Sequence, residues 1–234
     1  METKTADSNA KNSLIHNRQI ILFISSLSLI MFLLIVFLKS HFATMDANIN
    51  SWSASIQSAS FTEMAKIIHY SFAPTPSFVA SLLVAVYLFY KKYKCEALLL
   101  IGAMAANVTL VEIIKILVHF PRPLNGILTI QGFSFPSGHV VSTVVFFGLL
   151  TYFAWNHWKS SILRISWSLF SVVIAIVVGL DRIYLNVHWF SDVLGAYLLG
   201  VFWLTFSILT FQYLAKVGIK QELPPTDSRE QMKR

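Results

Sequence analysis

Residues 20–38 read IILFISSLSLIMFLLIVFL, a stretch of the chain without a single charged side chain. The hydrocarbon core of a bilayer is about 30 Å thick, and an α-helix needs roughly 20 apolar residues to cross it. A cleavable signal peptide is the alternative, but its apolar core is only about 7–15 residues long and is followed by a small-residue cleavage site. No such site closely follows residue 38, so the stretch predicts a first transmembrane helix.

The rest of the chain has the same character. Hydrophobic residues make up 56% of the 234 positions and charged residues 12%, against about 25% charged in ordinary soluble domains. Five more apolar stretches follow, at residues 70–90, 97–118, 138–155, 165–180 and 190–214. We therefore expect an all-α, polytopic membrane protein with six transmembrane helices in residues 20–215, between a polar segment 1–19 and a disordered tail 216–234. Residues 39–69 carry few charges among Ser, Trp, Ile and Phe, which predicts one or two short interfacial helices between the first and second spans.

The distribution of basic residues predicts the orientation of the chain. Placing both termini in the cytoplasm leaves on the outer side only five of the 18 Lys and Arg residues: Lys39, Lys66, Lys115, Arg122 and Arg182. This topology accounts for the net charge of +7 without a nucleic-acid partner, because no basic, aromatic-rich domain is present. Cys95 is the only cysteine, which excludes an intrachain disulfide and a thiolate metal cluster.

Ionisable residues at the ends of the apolar spans are the strongest functional signal. A charge at membrane depth costs about 2.5–3.5 kcal/mol on insertion scales and is a functional-site hypothesis by default. The residues in question are Glu112, Lys115, His139, Asp181, Arg182, His188 and Asp192. In the predicted topology they all lie at the outer ends of the third to sixth spans, so we expect them to converge on one surface.

The cations of this group suit a tetrahedral anion such as phosphate. Lys115, Arg122 and Arg182 supply three positive charges, and arginine adds a planar, bidentate fork. Ser137 and Gly138 precede an apolar helix, where Ser137 can be the N-cap and free backbone N–H groups can bind phosphate.

Two imidazoles complete the set. His188 and Asp192 are four residues apart on one helix face, so the carboxylate can hold one ring nitrogen and expose the other as a nucleophile. His139 is suited to protonating a leaving group.

Structural alternatives exist for each of these residues. Lys115 could form a buried ion pair with Glu112, and His188 with Asp192 could be a structural hydrogen bond or a pair of metal ligands. A zinc site needs three or four such ligands, and three neighbouring cations would repel the ion, so we expect no metal and no other cofactor.

Three motifs in this order resemble the signatures of the type 2 phosphatidic acid phosphatase superfamily, the lipid phosphate phosphatases. They are KILVHFPRP at 115–123, PSGH at 136–139 and RIYLNVHWFSD at 182–192. The resemblance implies a metal-independent enzyme in which Lys115, Arg122, Ser137, Gly138 and Arg182 bind the phosphate. It also implies the catalytic roles: His188 forms a phosphohistidine, Asp192 orients it, and His139 is the general acid and then activates water.

Two positions depart from the family pattern. Asp181 stands where the family usually has Ser, and a carboxylate there would repel phosphate unless it points away or pairs with a neighbouring cation such as Arg122. Asn186 stands where many members have Gly, a milder change because Asn tolerates left-handed backbone geometry.

The resemblance to bacterial members implies a lipid phosphate or diphosphate substrate at the outer face of the cell membrane, and undecaprenyl diphosphate is the preferred candidate. Phosphatidylglycerophosphate and phosphatidic acid remain alternatives. So do a lipid-diphosphate phosphotransferase and a non-catalytic lipid-binding or transport protein. The sequence gives no indication of the oligomeric state.

Overall fold

The computed structural model describes the backbone of residues 2–222 and the side chains of residues 18–216, and this part of the chain is helical without strands. The helices are α1 Glu2–Phe37, a 3-10 helix Lys39–Phe42, α2 Ala43–Ser55, α3 Ala59–Ser71, α4 Pro74–Tyr90, α5 Lys94–Val118, α6 Gly138–His157, α7 Ser161–Tyr184 and α8 Phe190–Glu222. The predicted all-α class is confirmed.

Within the described part of the chain, five helical stretches are long and apolar enough to cross a membrane. They are Arg18–Phe37, Lys94–Val118, Gly138–His157, Ser161–Tyr184 and Phe190–Lys216. A sixth is present if α3 and α4, which are bent by 51° at the break between them, form one span. The protein is therefore a multi-pass membrane protein with five or six spans. The exterior of the helix bundle carries many exposed apolar side chains, such as Leu83 and Val86.

The second predicted span, residues 70–90, crosses the bend between α3 and α4. Tyr70 belongs to the last turn of α3, and α4 begins only at Pro74. Ala73 is extended, with φ −61° and ψ 154°, because a residue that precedes proline is disfavoured in the helical region. Helix α4 therefore begins at Pro74, four residues after the predicted start of this span.

The segment after the first span forms the 3-10 helix, α2 and α3, which confirms the prediction of short helices there. It does not merely cover the surface, because α2 packs against α7 and α8, and α3 packs against α7. Lys39, Asp46, Ser53 and Ala65 of this segment are buried.

Helix α8 is the centre of the bundle, since α1, α5, α6 and α7 all contact it. Gly195 of α8 lies directly against the ring of Phe135, and a Cβ at this position would come within 2.5 Å of Phe135 Cε2. This close approach fixes the loop that leads into α6. Phe135 is fully buried, so the residues that follow it are held against the helix that carries Asp192.

Both ends of the chain are more helical than the sequence indicates. Helix α1 continues back to Glu2 through the polar segment 1–19, and α8 continues past Lys216 to Glu222. The remainder of the predicted disordered tail, residues 223–234, lies outside the described residues.

Candidate active site

A cavity of about 410 Å³ lies where the end of α5, the start of α6 and the loop before α8 meet. Its wall includes Lys115, Arg122, Gly138, His139 and His188. Of the seven residues predicted to converge, the wall contains Glu112, Lys115, His139 and His188; it does not contain Asp181, Arg182 or Asp192. Another cavity, of about 450 Å³ between α5 and α8, has an almost entirely apolar wall and lacks the charged side chains of the first.

His188 is buried in this wall and lies between an anion and a cation. Its Nδ1 is 3.5 Å from Oδ2 of Asp192, and its Nε2 is 3.2 Å from Nη1 of Arg122. A guanidinium nitrogen can only donate, so Nε2 is the acceptor and the ring proton belongs on Nδ1, facing the carboxylate. The lone pair of Nε2 therefore points towards the cationic side of the site.

The environment of His188 lowers its pKa from 6.5 to about 4. Burial, which penalises the charged imidazolium, is the largest cause, and the positive charges of Arg122 and Arg182 add to it. The hydrogen-bonding and Coulombic influence of Asp192 acts in the opposite direction. At neutral pH His188 is thus neutral, the form in which Nε2 can attack an electrophile.

His139 is the second residue of α6 and stacks on the ring of His69, with ring centroids 4.8 Å apart. Its Nε2 is 3.2 Å from the backbone oxygen of His69. A carbonyl oxygen only accepts, so Nε2 carries the proton in this hydrogen bond and Nδ1 is left as an acceptor. His69, from α3, is a site residue that the sequence motifs do not include.

Arg122 is held mainly by backbone oxygen atoms. Its Nε donates to Gly132 at 3.1 Å, Nη1 to Val187 at 2.8 Å and Nη2 to Phe133 at 3.1 Å. With the contact to His188 Nε2, four of the five guanidinium N–H groups are engaged. Burial lowers the pKa of Arg122 from its ordinary value, yet an arginine remains a cation at any physiological pH. Its position is therefore fixed, with one N–H left for a ligand.

Arg182 is fully buried at the end of α7. Its guanidinium contacts the carboxylate of Asp181 and Nδ1 of His69, while its Nε has no partner among the residues whose side chains the structure describes. The suggested pairing of Asp181 with Arg122 is wrong. Arg122 is already occupied by backbone oxygens, whereas Arg182 is the immediate neighbour of Asp181 in the last turn of α7.

Lys115 pairs with Glu112, three residues earlier on α5, with 2.7 Å between Nζ and Oε1. The ion pair considered as a structural alternative is thus present, but it lies in the cavity wall rather than between two buried helices. Because the Glu112 side chain is 59% exposed, the pair is weak and leaves the ammonium available to an anion.

Ser137 occupies the N-cap position of α6 as predicted, but its side chain makes no capping hydrogen bond. Its Oγ is buried and has no partner within the described part of the chain. Buried polar groups are nearly always hydrogen-bonded, so this hydroxyl and Arg182 Nε are unusual, although neither residue lines the cavity itself. Asn186 has φ 51°, as expected for a position where left-handed geometry is required.

Asp192 is held by residues that the sequence analysis did not single out. Its Oδ2 accepts the backbone N–H of Trp189 at 2.9 Å, and its Oδ1 accepts from Nζ of Lys39 at 2.5 Å. Lys39 directly follows the first span, where a lone lysine is typical of an interfacial anchor, so the sequence carries no local signal for this contact. Among residues 18–216, no group of three or more His, Cys, Asp or Glu side chains is arranged to hold a metal ion.

Comparison with known proteins agrees with this arrangement. The model of the PAP2 superfamily matches residues 96–216. The chain is 31% identical over 116 residues to phosphatidylglycerophosphatase B of Bacillus subtilis, covering 48% of this chain and 56% of that protein. It is 39% identical over 69 residues to the putative undecaprenyl-diphosphatase YbjG of Escherichia coli, covering 29% and 30%. The matched segments therefore span less than two thirds of these relatives' lengths.

Two solved structures have a similar fold. The crystal structure of a transmembrane PAP2-type phosphatidylglycerolphosphate phosphatase from Bacillus subtilis superposes with a TM-score of 0.73 at 22% identity, covering 87% of this chain and 99% of that one. The crystal structure of LpxE from Aquifex aeolicus gives a TM-score of 0.55 at 20% identity, covering 71% and 93%.

Proposed function

Because the chain belongs to the PAP2 superfamily, we propose that it is a membrane enzyme that removes phosphate from a lipid phosphate or diphosphate. The observation that carries the proposal is a single cavity whose wall contains Lys115, Arg122, His139 and His188. Two cations there can bind a phosphate anion, and two imidazoles can provide a nucleophile and an acid. Ser137 directly precedes Gly138 of the wall, and its unpartnered Oγ is available to a ligand that enters the start of α6.

The proposed reaction has two steps. In the first, His188 Nε2 gives up its hydrogen bond from Arg122 and its lone pair forms a bond to the terminal phosphorus. The bond from that phosphorus to the leaving oxygen breaks; this oxygen belongs to the alcohol of a lipid phosphate or to the inner phosphate of a lipid diphosphate. His139, which carries a second proton on Nδ1 once the phosphate anion is bound, gives that proton to the leaving oxygen. In the second, water attacks the phosphohistidine and passes a proton to His139, and the electrons of the phosphorus–nitrogen bond return to His188. Asp192 keeps the proton of His188 on Nδ1 and stabilises the positive charge that develops on the ring.

For the substrate we favour undecaprenyl diphosphate, with phosphatidylglycerophosphate as the second candidate. One relative is named for each activity: the first in Escherichia coli at 39% identity over 69 residues, the second in Bacillus subtilis at 31% over 116 residues. Both lipids present a terminal phosphate to the same ligand set, so the rates on the two lipids must distinguish them.

The test is release of inorganic phosphate by the purified protein in detergent with EDTA, from undecaprenyl diphosphate, phosphatidylglycerophosphate and phosphatidic acid. We expect release that is abolished in His188→Ala. A matched control is His157→Ala at the opposite end of α6, where the imidazole pairs with Glu96 at 3.3 Å; this variant should keep its activity. Loss of the lipid substrate without free phosphate would indicate a phosphotransferase. A folded protein that consumes none of the three lipids would contradict the proposal.

The proposed orientation has both termini in the cytoplasm of a bacterial cell and the cavity on the outer side. Cys95 is the only cysteine, is exposed and lies at the start of α5, on the proposed inner side. A membrane-impermeant maleimide should label it only after the cells are opened. The converse variant, Cys95→Ala with Leu124→Cys in the exposed loop after α5, should be labelled on intact cells, and the reverse pattern would invert the topology.

A further inference from the structure

A buried cluster of charges lies on the side of Asp192 away from the cavity. Lys39 of the 3-10 helix, Asp46 of α2, and Ser191 and Asp192 of α8 form it, and their exposed fractions are 4%, 3%, 0% and 0%. None of the three sequence motifs includes Lys39 or Asp46. Charges in such surroundings are retained only when they are paired and hydrogen-bonded.

The contacts within the cluster are continuous. Lys39 Nζ donates to Oδ1 of Asp192 at 2.5 Å and to Oγ of Ser191, and lies 3.7 Å from Oδ2 of Asp46. Ser191 in turn donates its backbone N–H to Oδ1 of Asp46 at 2.9 Å and its hydroxyl to Oδ2 of Asp46. The ring of Phe120 lies 4.3 Å from Nζ and closes the remaining side of the ammonium group. The lysine is therefore fixed between two carboxylates.

This geometry divides the carboxylate of Asp192 between two tasks. Oδ1 is bound by Lys39, while Oδ2 accepts the backbone N–H of Trp189 and lies 3.5 Å from Nδ1 of His188. Lys39 also offsets one of two buried negative charges, so the cluster of one ammonium and two carboxylates has a net charge of −1. Removal of the lysine would bring the net charge next to His188 to −2, and removal of the charge on Asp46 would bring it to zero.

We infer that Lys39 and Asp46 are positioning residues that set the charge behind Asp192 and thereby the basicity of the nucleophile His188. The inference rests on the proposed function, because it concerns the same two-step reaction. It assigns a role to the segment between the first and second spans: the segment supplies the counter-charges of the catalytic carboxylate. A more negative cluster stabilises the imidazolium, and a less negative one destabilises it.

Other groups also face His188, and they must stay unchanged in the test. They come from every helix that borders the site: His69 of α3, Glu112 and Lys115 of α5, Arg122 of the following loop, His139 of α6, and Asp181 and Arg182 of α7. Lys39 forms its hydrogen bonds and ion pairs with Asp46, Ser191 and Asp192 and with none of these groups. A substitution of Lys39 therefore changes the charge behind Asp192 and leaves the charges of the other groups in place.

The experiment compares pH profiles of kcat/KM for the wild-type enzyme, Lys39→Met, Asp46→Asn and the double variant. Loss of the ammonium should move the acid limb of Lys39→Met up by about one pH unit, a typical effect of a nearby charge. Asp46→Asn should not raise the limb. The double variant, which restores the net charge of −1, should return the limb to the wild-type position.

Lys39→Gln keeps a donor for Asp192 without the positive charge, and should show the same displacement of the acid limb as Lys39→Met. If Lys39→Met does not fold, the pH profile of Lys39→Gln tests the inference in its place. Lys66→Met is the matched control, because Lys66 is also a lysine of the predicted outer segments but forms only a partly exposed pair with Glu63; its profile should match the wild type.

Profiles of Lys39→Met and Lys39→Gln that superimpose on the wild type would overturn the inference. So would a loss of activity in the lysine variants and Asp46→Asn alike, without a displaced limb, since that pattern indicates a role in folding alone. If the wild-type enzyme and the Lys66 control released no phosphate, the proposed function would fail instead.

Discussion

Two carboxylates lie beside two of the proposed phosphate-binding cations, and we predict that their removal has very different effects. Asp181 and Arg182 form a pair whose side chains are 2% and 0% exposed. Glu112 and Lys115 form a pair whose side chains are 59% and 16% exposed. Asp181→Asn therefore leaves a buried guanidinium without its counter-ion, whereas Glu112→Gln leaves an ammonium group that water can reach.

The exposed fractions of the two ion pairs determine how much stability each substitution should remove. Loss of one partner of a buried ion pair costs about 3–5 kcal/mol, and a chain of this size loses about 2–4 °C of Tm per kcal/mol. Asp181→Asn should thus lower Tm by between about 6 and 20 °C. An exposed pair contributes only about 0.2–1 kcal/mol, so Glu112→Gln should lower Tm by less than about 4 °C.

Phosphate should reverse the effect of Asp181→Asn, because the anion replaces the lost counter-charge of Arg182. We expect inorganic phosphate to bind this variant at least about tenfold more tightly than the wild type, since an opposing carboxylate has been removed. Tm in detergent, measured with increasing phosphate, reports both quantities, because a ligand that binds only the folded state raises Tm with its concentration. Equal losses of Tm in the two variants, or no rescue of Asp181→Asn by phosphate, would refute the reasoning.

Three further predictions concern single positions. Because the pKa of His188 is lowered to about 4, its imidazole should stay neutral as the pH falls through 6.5. We therefore expect kcat/KM, corrected for substrate ionisation, to decline only towards pH 4. A decline of kcat/KM centred near pH 6.5 would contradict this prediction. Gly195→Val should abolish phosphate release and lower Tm, since even a Cβ would approach Phe135 to 2.5 Å; a variant with wild-type kcat and Tm would show that the contact yields easily. Asn186 has φ 51°, a backbone conformation in which a β-branched residue is strained. Asn186→Val should therefore lower the free energy of unfolding by about 1–2 kcal/mol, whereas Asn186→Gly should leave it nearly unchanged. Denaturation of both variants in detergent measures the difference.

The parts of the fold that follow from local composition were predictable from the sequence. Apolar length alone identified five of the six predicted spans, and four of the seven ionisable residues at their ends lie in the cavity wall. The bend between α3 and α4 was placed less well, since residues 70–90 read as one apolar stretch. The effect of Pro74 on the residue before it, rather than the pattern of hydrophobicity, determines where α4 begins.

The parts of the site that depend on contacts between distant segments were not predictable. Lys39 and Asp192 are 153 residues apart, and nothing near Lys39 in the sequence distinguishes it from a lysine that anchors a helix at the interface. His69 was missed for the same reason, because only the folded chain brings α3 against Arg182. The sequence also did not predict which cation pairs with Asp181, since several cations were expected nearby. Only the structure shows that the guanidinium of Arg122 donates to backbone oxygens and that Asp181 pairs with Arg182.

The contact between Lys39 and Asp192 joins a part of the protein that the ribosome makes early to a part that it makes late. Before α8 is inserted, Lys39 of the 3-10 helix and Asp46 of α2 lack their hydrogen-bonding partners Asp192 and Ser191. The buried cluster of Lys39, Asp46, Ser191 and Asp192 is accordingly complete only when α8 packs against the segment that follows α1. A product that ends before α8 still contains His188 but lacks Asp192, so it has neither the carboxylate beside the imidazole nor the ion pair with Lys39.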